Sequence, residues 1–185
     1  MPSAEKKLEL RFWYFKVATH YYIAGRYAHI GRLIPTAGNL FHHAIEMYLK
    51  GYLALELNNR ELKKFRHSLR RIWQRVKDSI ADLALDKFNT TIEELDNFED
   101  IRYPEKIAQL GVFMHFDIIR LAARVPATTW ANRVGYELPE IDNLVATIFE
   151  KSGANPVFFI TTFLGSEDAK AYLRKDNPMK QVWGL

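Results

Sequence analysis

Apolar residues recur at intervals of three and four along most of the chain, the spacing that places them on one face of an α-helix. The clearest example is residues 61–83, where Leu62, Phe65, Leu69, Ile72 and Val76 form an almost continuous seam. The same spacing, interrupted by polar and proline-containing breaks, predicts a series of helices. They cover residues 4–24, 36–57, 61–83, 86–99, 139–151, 156–164 and 166–175.

The first predicted helix, which begins after Ser3 as its N-cap, has apolar positions on two opposite sides. Leu8 and Phe12 lie on one side, whereas Leu10 and Val17 lie on the other. A helix that is apolar on two sides must be covered on both. Because one layer of neighbouring helices covers only one of them, we expect a second copy of the chain to cover the other.

Together these segments predict a mainly α protein, an antiparallel up-and-down helical bundle with a smaller C-terminal helical extension. The 185 residues are expected to form a single domain, with a helical core at 4–106 and an extension at 107–185 that packs on the core. A short β-hairpin around 112–118 and 128–136 is left open, because the pattern there is poor.

Composition excludes several classes of protein. The chain has no cysteine, so it cannot have disulfides, a thiol nucleophile or a thiolate metal site. Its N-terminal aromatic run is interrupted by Lys16 and His20, and therefore resembles neither a signal peptide nor a membrane span of about 20 apolar residues. We expect a cytoplasmic protein that does not contact the membrane and uses no cofactor.

Charge is distributed unevenly along the middle of the chain. Residues 60–77 contain eight Lys or Arg and one acid, whereas residues 78–100 contain eight acids and one Lys. Two interpretations remain open: the segments neutralise each other, or the basic one forms a phosphate-contacting surface. The net charge of +4 is too small to decide between them. The four tryptophans are scattered and are interpreted as packing residues rather than a base-stacking surface.

His42, His43 and Glu46 lie within about one turn of helix two and are residue types that bind metal ions. Adjacent histidines diverge by about 100° on a helix, however, and no second cluster with ligand spacing occurs in the sequence. We therefore expect no metal and interpret these residues as a polar surface patch, in which Glu46 pairs with Lys50.

Three segments, taken in order, resemble proteins of the HEPN family. They are HHAIEMYLKGYLA at 42–54, FRHSLRRIW at 65–73 and LDNFEDIRYPEK at 95–106. In that family an A-x-E-x-x-L-K helix precedes a His-Leu helix, and an R-Y-P segment follows in several branches. The resemblance covers residues 4–106, a little over half of the chain.

The resemblance implies a helical bundle, usually a homodimer, with a role linked to RNA or nucleotides in toxin–antitoxin modules and defence systems. Many members are metal-independent ribonucleases whose active site is an Arg followed, after four to six residues, by a His, contributed by both subunits. Arg60 and His67 have this spacing here and are the catalytic candidates. Glu61 follows Arg60, however, where the family favours Asn, Asp or His.

We therefore expect a HEPN-like module without ribonuclease activity that acts as an RNA- or nucleotide-linked binding or regulatory component. Two alternatives remain open: a metal-independent ribonuclease that acts as a homodimer, and a purely structural protein-interaction module. The expected partners are a second copy of the chain, RNA or a nucleotide, and a nucleotidyltransferase-type antitoxin. The candidate binding residues are Lys50, Arg66, Arg70 and Arg102, of which Arg102 either braces Glu46 or Asp100 or faces a phosphate.

Overall fold

Helices account for 79% of the structure, a computed structural model that describes residues 3–102, 105, 135–163 and 166–185, and no strand occurs in these ranges. The mainly α prediction is therefore confirmed. The hairpin considered around 112–118 and 128–136 lies outside the described residues, except at its last two positions. None of the described helices combines the length and apolar character that crossing a membrane requires.

Two long helices, α1 (Ala4–Ile30) and α2 (Ile34–Leu53), contact each other along much of their length. Ser3 caps α1 as predicted, because its Oγ accepts a hydrogen bond of 3.4 Å from the amide of Lys6. α1 continues past its predicted end at residue 24. Gly25 lies against the ring of Phe41 on α2, where a Cβ would be only 2.7 Å from a ring carbon. This glycine therefore allows the two helices to approach closely instead of ending the first.

The single helix predicted over residues 61–83 is wrong: the structure has two helices, α3 (Asn59–Lys63) and α4 (Leu69–Ile80). The break is at Arg66, whose φ of 53° is in the left-handed region that no helix residue adopts. Asn58 and Glu61 form a capping box that begins α3, which explains why this helix forms despite its length. Ala81, also at a φ of 53°, ends α4.

The helix predicted over residues 86–99 is likewise divided. It consists of the 3-10 turn Leu83–Phe88, the helix α5 (Asn89–Asp96) and the 3-10 turn Asn97–Arg102. The predictions nearer the C-terminus agree with the structure to within two residues. The helices found there are α6 (Leu138–Ser152), α7 (Pro156–Phe163) and α8 (Glu167–Arg174), followed by the 3-10 turn Lys180–Trp183.

An aromatic core joins α1 and α2 to the helices near the C-terminus. Phe15 of α1 packs edge-on against Tyr48 of α2 and Phe149 of α6, with ring centroids 5.5 and 5.1 Å away. Trp183 stacks on Tyr22 of α1 at 5.5 Å. Each such ring buries a large apolar area, so segments distant in the sequence share one core.

A buried ion pair reinforces the same connection. Nη1 of Arg26 on α1 donates to both carboxylate oxygens of Asp142 on α6, each at 2.5 Å, and neither side chain is exposed. Arg26 also donates to the backbone carbonyls of Tyr172 and Lys175, and Tyr22 donates to Asp142. The arginine is therefore held by α6 and by the segment that ends α8.

Candidate functional site

Histidine and carboxylate side chains converge where α2 meets the loop between α3 and α4. His42, His43 and Glu46 come from α2, and their potential ligand atoms all lie within 4.8 Å of one another. His42 and Glu46 are buried, with 1% and 0% of their surface exposed. The interpretation of these residues as a polar surface patch is therefore wrong. The reason is that α2 is covered on almost all sides, so even its polar positions lie inside the protein.

Glu46 is at the centre of this cluster. Its Oε1 accepts a hydrogen bond from Lys50 Nζ at 2.5 Å, which confirms the predicted pair. Its Oε2 lies 3.1 Å from Nδ1 of His67 and 3.6 Å from Nδ1 of His43. Burial alone would raise the pKa of Glu46, but its interactions with His43, Lys50 and His67 outweigh burial and lower the pKa to about 2. The carboxylate is therefore ionised at neutral pH.

His42 occupies the most enclosed position of the cluster. Its Nδ1 lies 2.9 Å from the backbone carbonyl of Leu95 on α5, a geometry in which Nδ1 carries the proton and donates it. Its Nε2 lies 3.6 Å from a carboxylate oxygen of Glu99 and 4.0 Å from Oε2 of Glu46. Burial lowers the pKa of His42, against the opposing effects of the Leu95 hydrogen bond and the two carboxylates.

Lys50 also fixes the loop that carries His67. In addition to Glu46, its Nζ donates to the backbone carbonyl of Arg66 at 2.7 Å. This bond holds the left-handed turn at Arg66 against α2, and the next residue, His67, is thereby directed to Glu46. Lys50 is buried, with 6% of its surface exposed, so its charge is used within the protein.

The cations of residues 60–77 fall into two groups. On α4, Arg70 lies 3.4 Å from Asp96, Arg75 lies 2.7 Å from Glu56 and Lys77 lies 2.8 Å from Asp86. The second group is exposed and makes no ion pair with any acid in the described ranges. Its members, here called the cationic surface, are Arg60, Lys63, Lys64, Arg66 and Arg71.

A groove of about 580 Å³ lies beside the cationic surface, between the start of α1 and the start of α3. Its lining includes Trp13, Lys6, Asn59 and Arg60. The indole of Trp13 is exposed to 49%, and the ammonium of Lys16 lies 4.7 Å from its ring centroid. Trp13 is thus not buried in the core, contrary to the interpretation of the tryptophans as packing residues. An exposed indole among cations suits both the faces of nucleotide bases and their phosphates.

The candidate residues from the sequence are distributed over these features. Arg60 lines the groove, whereas His67 lies against Glu46, so the two catalytic candidates contact different groups. Arg66 is exposed, but Lys50 is buried and Arg70 is paired with Asp96. The 3-10 turn Asn97–Arg102 includes the backbone of Arg102, whose side chain lies outside the described part of the structure, as does that of Asp100.

Comparisons of the chain with family models, with curated proteins and with solved structures gave no match. They assign neither a fold family nor a function. The chemistry of the site itself is therefore the basis for the function argued below.

Two features of the candidate site were not predicted from the sequence. Adjacent histidines diverge on a helix, but Nε2 of His42 and Nδ1 of His43 both lie near Oε2 of Glu46 in the structure. Glu99 lies far along the sequence from both histidines, so the sequence pattern gives no signal that it lies beside His42. The signal for Trp13 was present, since Lys6, Lys7 and Lys16 flank it within the first helix.

Proposed function

We propose that the chain is a HEPN-like antiparallel helical bundle that binds single-stranded RNA or a nucleotide without cleaving it. The cationic surface supports this proposal most directly. Its exposed Lys and Arg side chains make no ion pair with an acid in the described residues, so they are available to phosphates. The paired cations of α4, by contrast, already have carboxylate partners.

The groove beside Trp13 adds the second requirement of such a protein, a surface on which bases stack. Arg60 belongs both to the groove lining and to the cationic surface, so the two features are continuous. A single strand can therefore place its phosphates along α3 and a base against the exposed indole.

The test compares two double variants that remove the same charge. We expect Lys63→Gln/Lys64→Gln to weaken binding of a fluorescein-labelled single-stranded RNA. The slope of log affinity against log salt should become flatter by about 0.7 for each lost phosphate contact. Arg75→Gln/Lys77→Gln, which removes cations paired within the protein, is the matched control and should leave that slope nearly unchanged.

Trp13→Ala provides the complementary measurement. It should weaken binding by about 1–3 kcal/mol, the usual contribution of one stacked base, without changing the salt slope. Equal affinity and slope in wild type, Lys63→Gln/Lys64→Gln and Trp13→Ala would exclude binding at this surface. No RNA or nucleotide binding at low salt would favour the structural protein-interaction module instead.

A second candidate function is a metal-independent ribonuclease. It is favoured by the geometry of His67, whose Nδ1 lies 3.1 Å from the ionised Glu46 while 53% of its side chain is exposed. A carboxylate that orients an exposed imidazole is a common arrangement for general acid–base catalysis. RNA that is degraded in EDTA by wild type but not by His67→Ala would replace our proposal with this one.

The biological setting that we propose is a cytoplasmic toxin–antitoxin or defence system. In that setting the chain acts as a homodimer, and a nucleotidyltransferase-type antitoxin is a partner. The support for these points is the ordered set of segments that resembles the HEPN family.

A further inference from the structure

The cluster around Glu46 contains an electrostatic conflict. Nε2 of His42 is buried and has no hydrogen-bond partner in the described part of the structure. Carboxylate oxygens of Glu99 and Glu46 lie 3.6 and 4.0 Å from it. Because Nδ1 is the atom placed to donate to the Leu95 carbonyl, the Nε2 that faces these oxygens carries a lone pair. A lone pair directed at two carboxylates is unfavourable, and either a proton on Nε2 or a metal cation between these groups relieves the repulsion.

We propose that His42 Nε2, His43 Nδ1 and Glu46 Oε2 bind a divalent transition-metal ion, with zinc as the best match. Two imidazoles and one carboxylate form a ligand set that zinc commonly uses in three-ligand sites. Calcium and magnesium prefer sites built from oxygen ligands, so the two imidazoles disfavour them.

The distances agree with this assignment. Ligands of a tetrahedral zinc ion lie about 2.0–2.2 Å from the metal, and hence roughly 3.3–3.5 Å from one another. Oε2 of Glu46 lies 3.6 Å from His43 Nδ1 and 4.0 Å from His42 Nε2, and the two nitrogens lie within 4.8 Å of each other, so side-chain rotations that bring the three atoms closer together complete the geometry. Nδ1 of His67 is 3.1 Å from the same oxygen of Glu46.

The surrounding groups also resemble those of a metal site. The hydrogen bond from His42 Nδ1 to the Leu95 carbonyl orients the ring, as is usual for a metal-bound histidine. Lys50 bonds to Oε1 of Glu46 and leaves Oε2 directed to the imidazoles. The ring of Tyr21 on α1 packs against the ring of His43, with centroids 5.5 Å apart, and so limits the movement of this proposed ligand. Glu99 adds a second negative charge beside the proposed ion.

The test is direct zinc binding by the full chain, purified without a histidine tag and stripped with a chelator. Titration against a chromophoric chelator should show one Zn²⁺ per chain with micromolar or tighter affinity. His43→Ala, which changes the more exposed of the two histidine ligands, should bind at least about 100-fold more weakly, since even indirect partners of metal ligands contribute 10–100-fold. His20→Ala changes an exposed histidine outside the cluster and should bind like wild type.

Cobalt substitution gives a readout that does not depend on affinity alone. Co²⁺ bound by the wild type should show the intense visible absorption of a tetrahedral site, and His43→Ala should lose it. Absence of stoichiometric zinc binding by the wild type would overturn the proposal, and so would equal binding by His43→Ala and wild type. Because no RNA enters these measurements, they succeed or fail independently of the proposed function.

Discussion

Gly38 determines the local packing because it has no side chain. A Cβ at this position of α2 would lie 2.0 Å from a ring carbon of the buried Phe98. The ring therefore occupies the space that any other residue would fill. Nothing in the sequence around Gly38 identifies Phe98 as the neighbour, because the two are separated by four other secondary-structure elements.

We expect Gly38→Ala to destabilise the protein, because overpacking a core usually costs about 1–3 kcal/mol. This cost should exceed the gain of about 1 kcal/mol that alanine normally brings to a helix interior. Gly31→Ala is the control, since a Cβ there meets its nearest neighbour at 3.4 Å with ordinary φ, and should be neutral or slightly stabilising. Urea unfolding of both variants measures the difference, and equal stabilities would contradict the packing described.

At the residue scale, the sequence is enough to predict some side-chain contacts but not others. The Glu46–Lys50 pair follows from their separation by four residues within one helix. The contact of His67 with Glu46 depends on where a loop folds back, which periodicity does not encode. Burial of His42 depends on α5 lying over it, so it was predicted as part of a surface patch.

At the scale of elements, the broken helix over residues 61–83 shows the limit of hydrophobic periodicity. The apolar seam continues through Leu62, Phe65 and Leu69, yet the backbone leaves the helix at Arg66. Both helices direct apolar residues into the same core. The spacing of apolar residues therefore fits two short helices as well as one long helix. The factor that favours the break is a tertiary contact, the bond from Lys50 to the Arg66 carbonyl.

Lys50→Met should therefore affect both an ion pair and a turn. It leaves the carboxylate of Glu46 buried without its ammonium partner, a loss that usually costs about 3–5 kcal/mol. The loop at Arg66 also loses its bond to α2. Lys170→Met removes a cation from the exposed pair with Glu167, a kind of pair that contributes about 1 kcal/mol or less.

Thermal unfolding in EDTA compares these two variants without any contribution from bound metal. A Lys50→Met protein as stable as Lys170→Met would show that Glu46 does not need the ammonium. Hydrogen exchange at residues 64–68 should increase in Lys50→Met if the lysine holds the turn in place.

At the scale of the molecule, the prediction of a mainly α fold succeeded because helix periods extend over most of the described chain. The two-sided character of α1 is also visible in the structure. Phe15 and Tyr22 are buried, whereas Val17 and Tyr21 remain 38% and 37% exposed beside Trp13. Val17 and Tyr21 lie one turn apart and form an exposed apolar stripe that does not include Trp13.

We expect a second copy of the chain to cover the stripe, and wild type to have twice the chain mass of 21.6 kDa in light scattering at micromolar concentration. Val17→Glu should shift the protein to monomers, because a charge within the stripe would be buried without a partner. Leu83→Glu, at an exposed leucine away from α1, is the control and should remain dimeric. A wild type that is monomeric throughout this range would exclude the dimer.

The Arg26–Asp142 pair has a consequence for how the protein is made. Arg26 belongs to α1, but its carboxylate partner comes 116 residues later in the chain and its carbonyl partners come later still. Chain elongation takes about 5–20 residues per second, so the arginine remains without its partner for several seconds on the ribosome. A guanidinium cannot be buried alone, and α1 therefore cannot adopt its final packing until residues up to 175 have been translated.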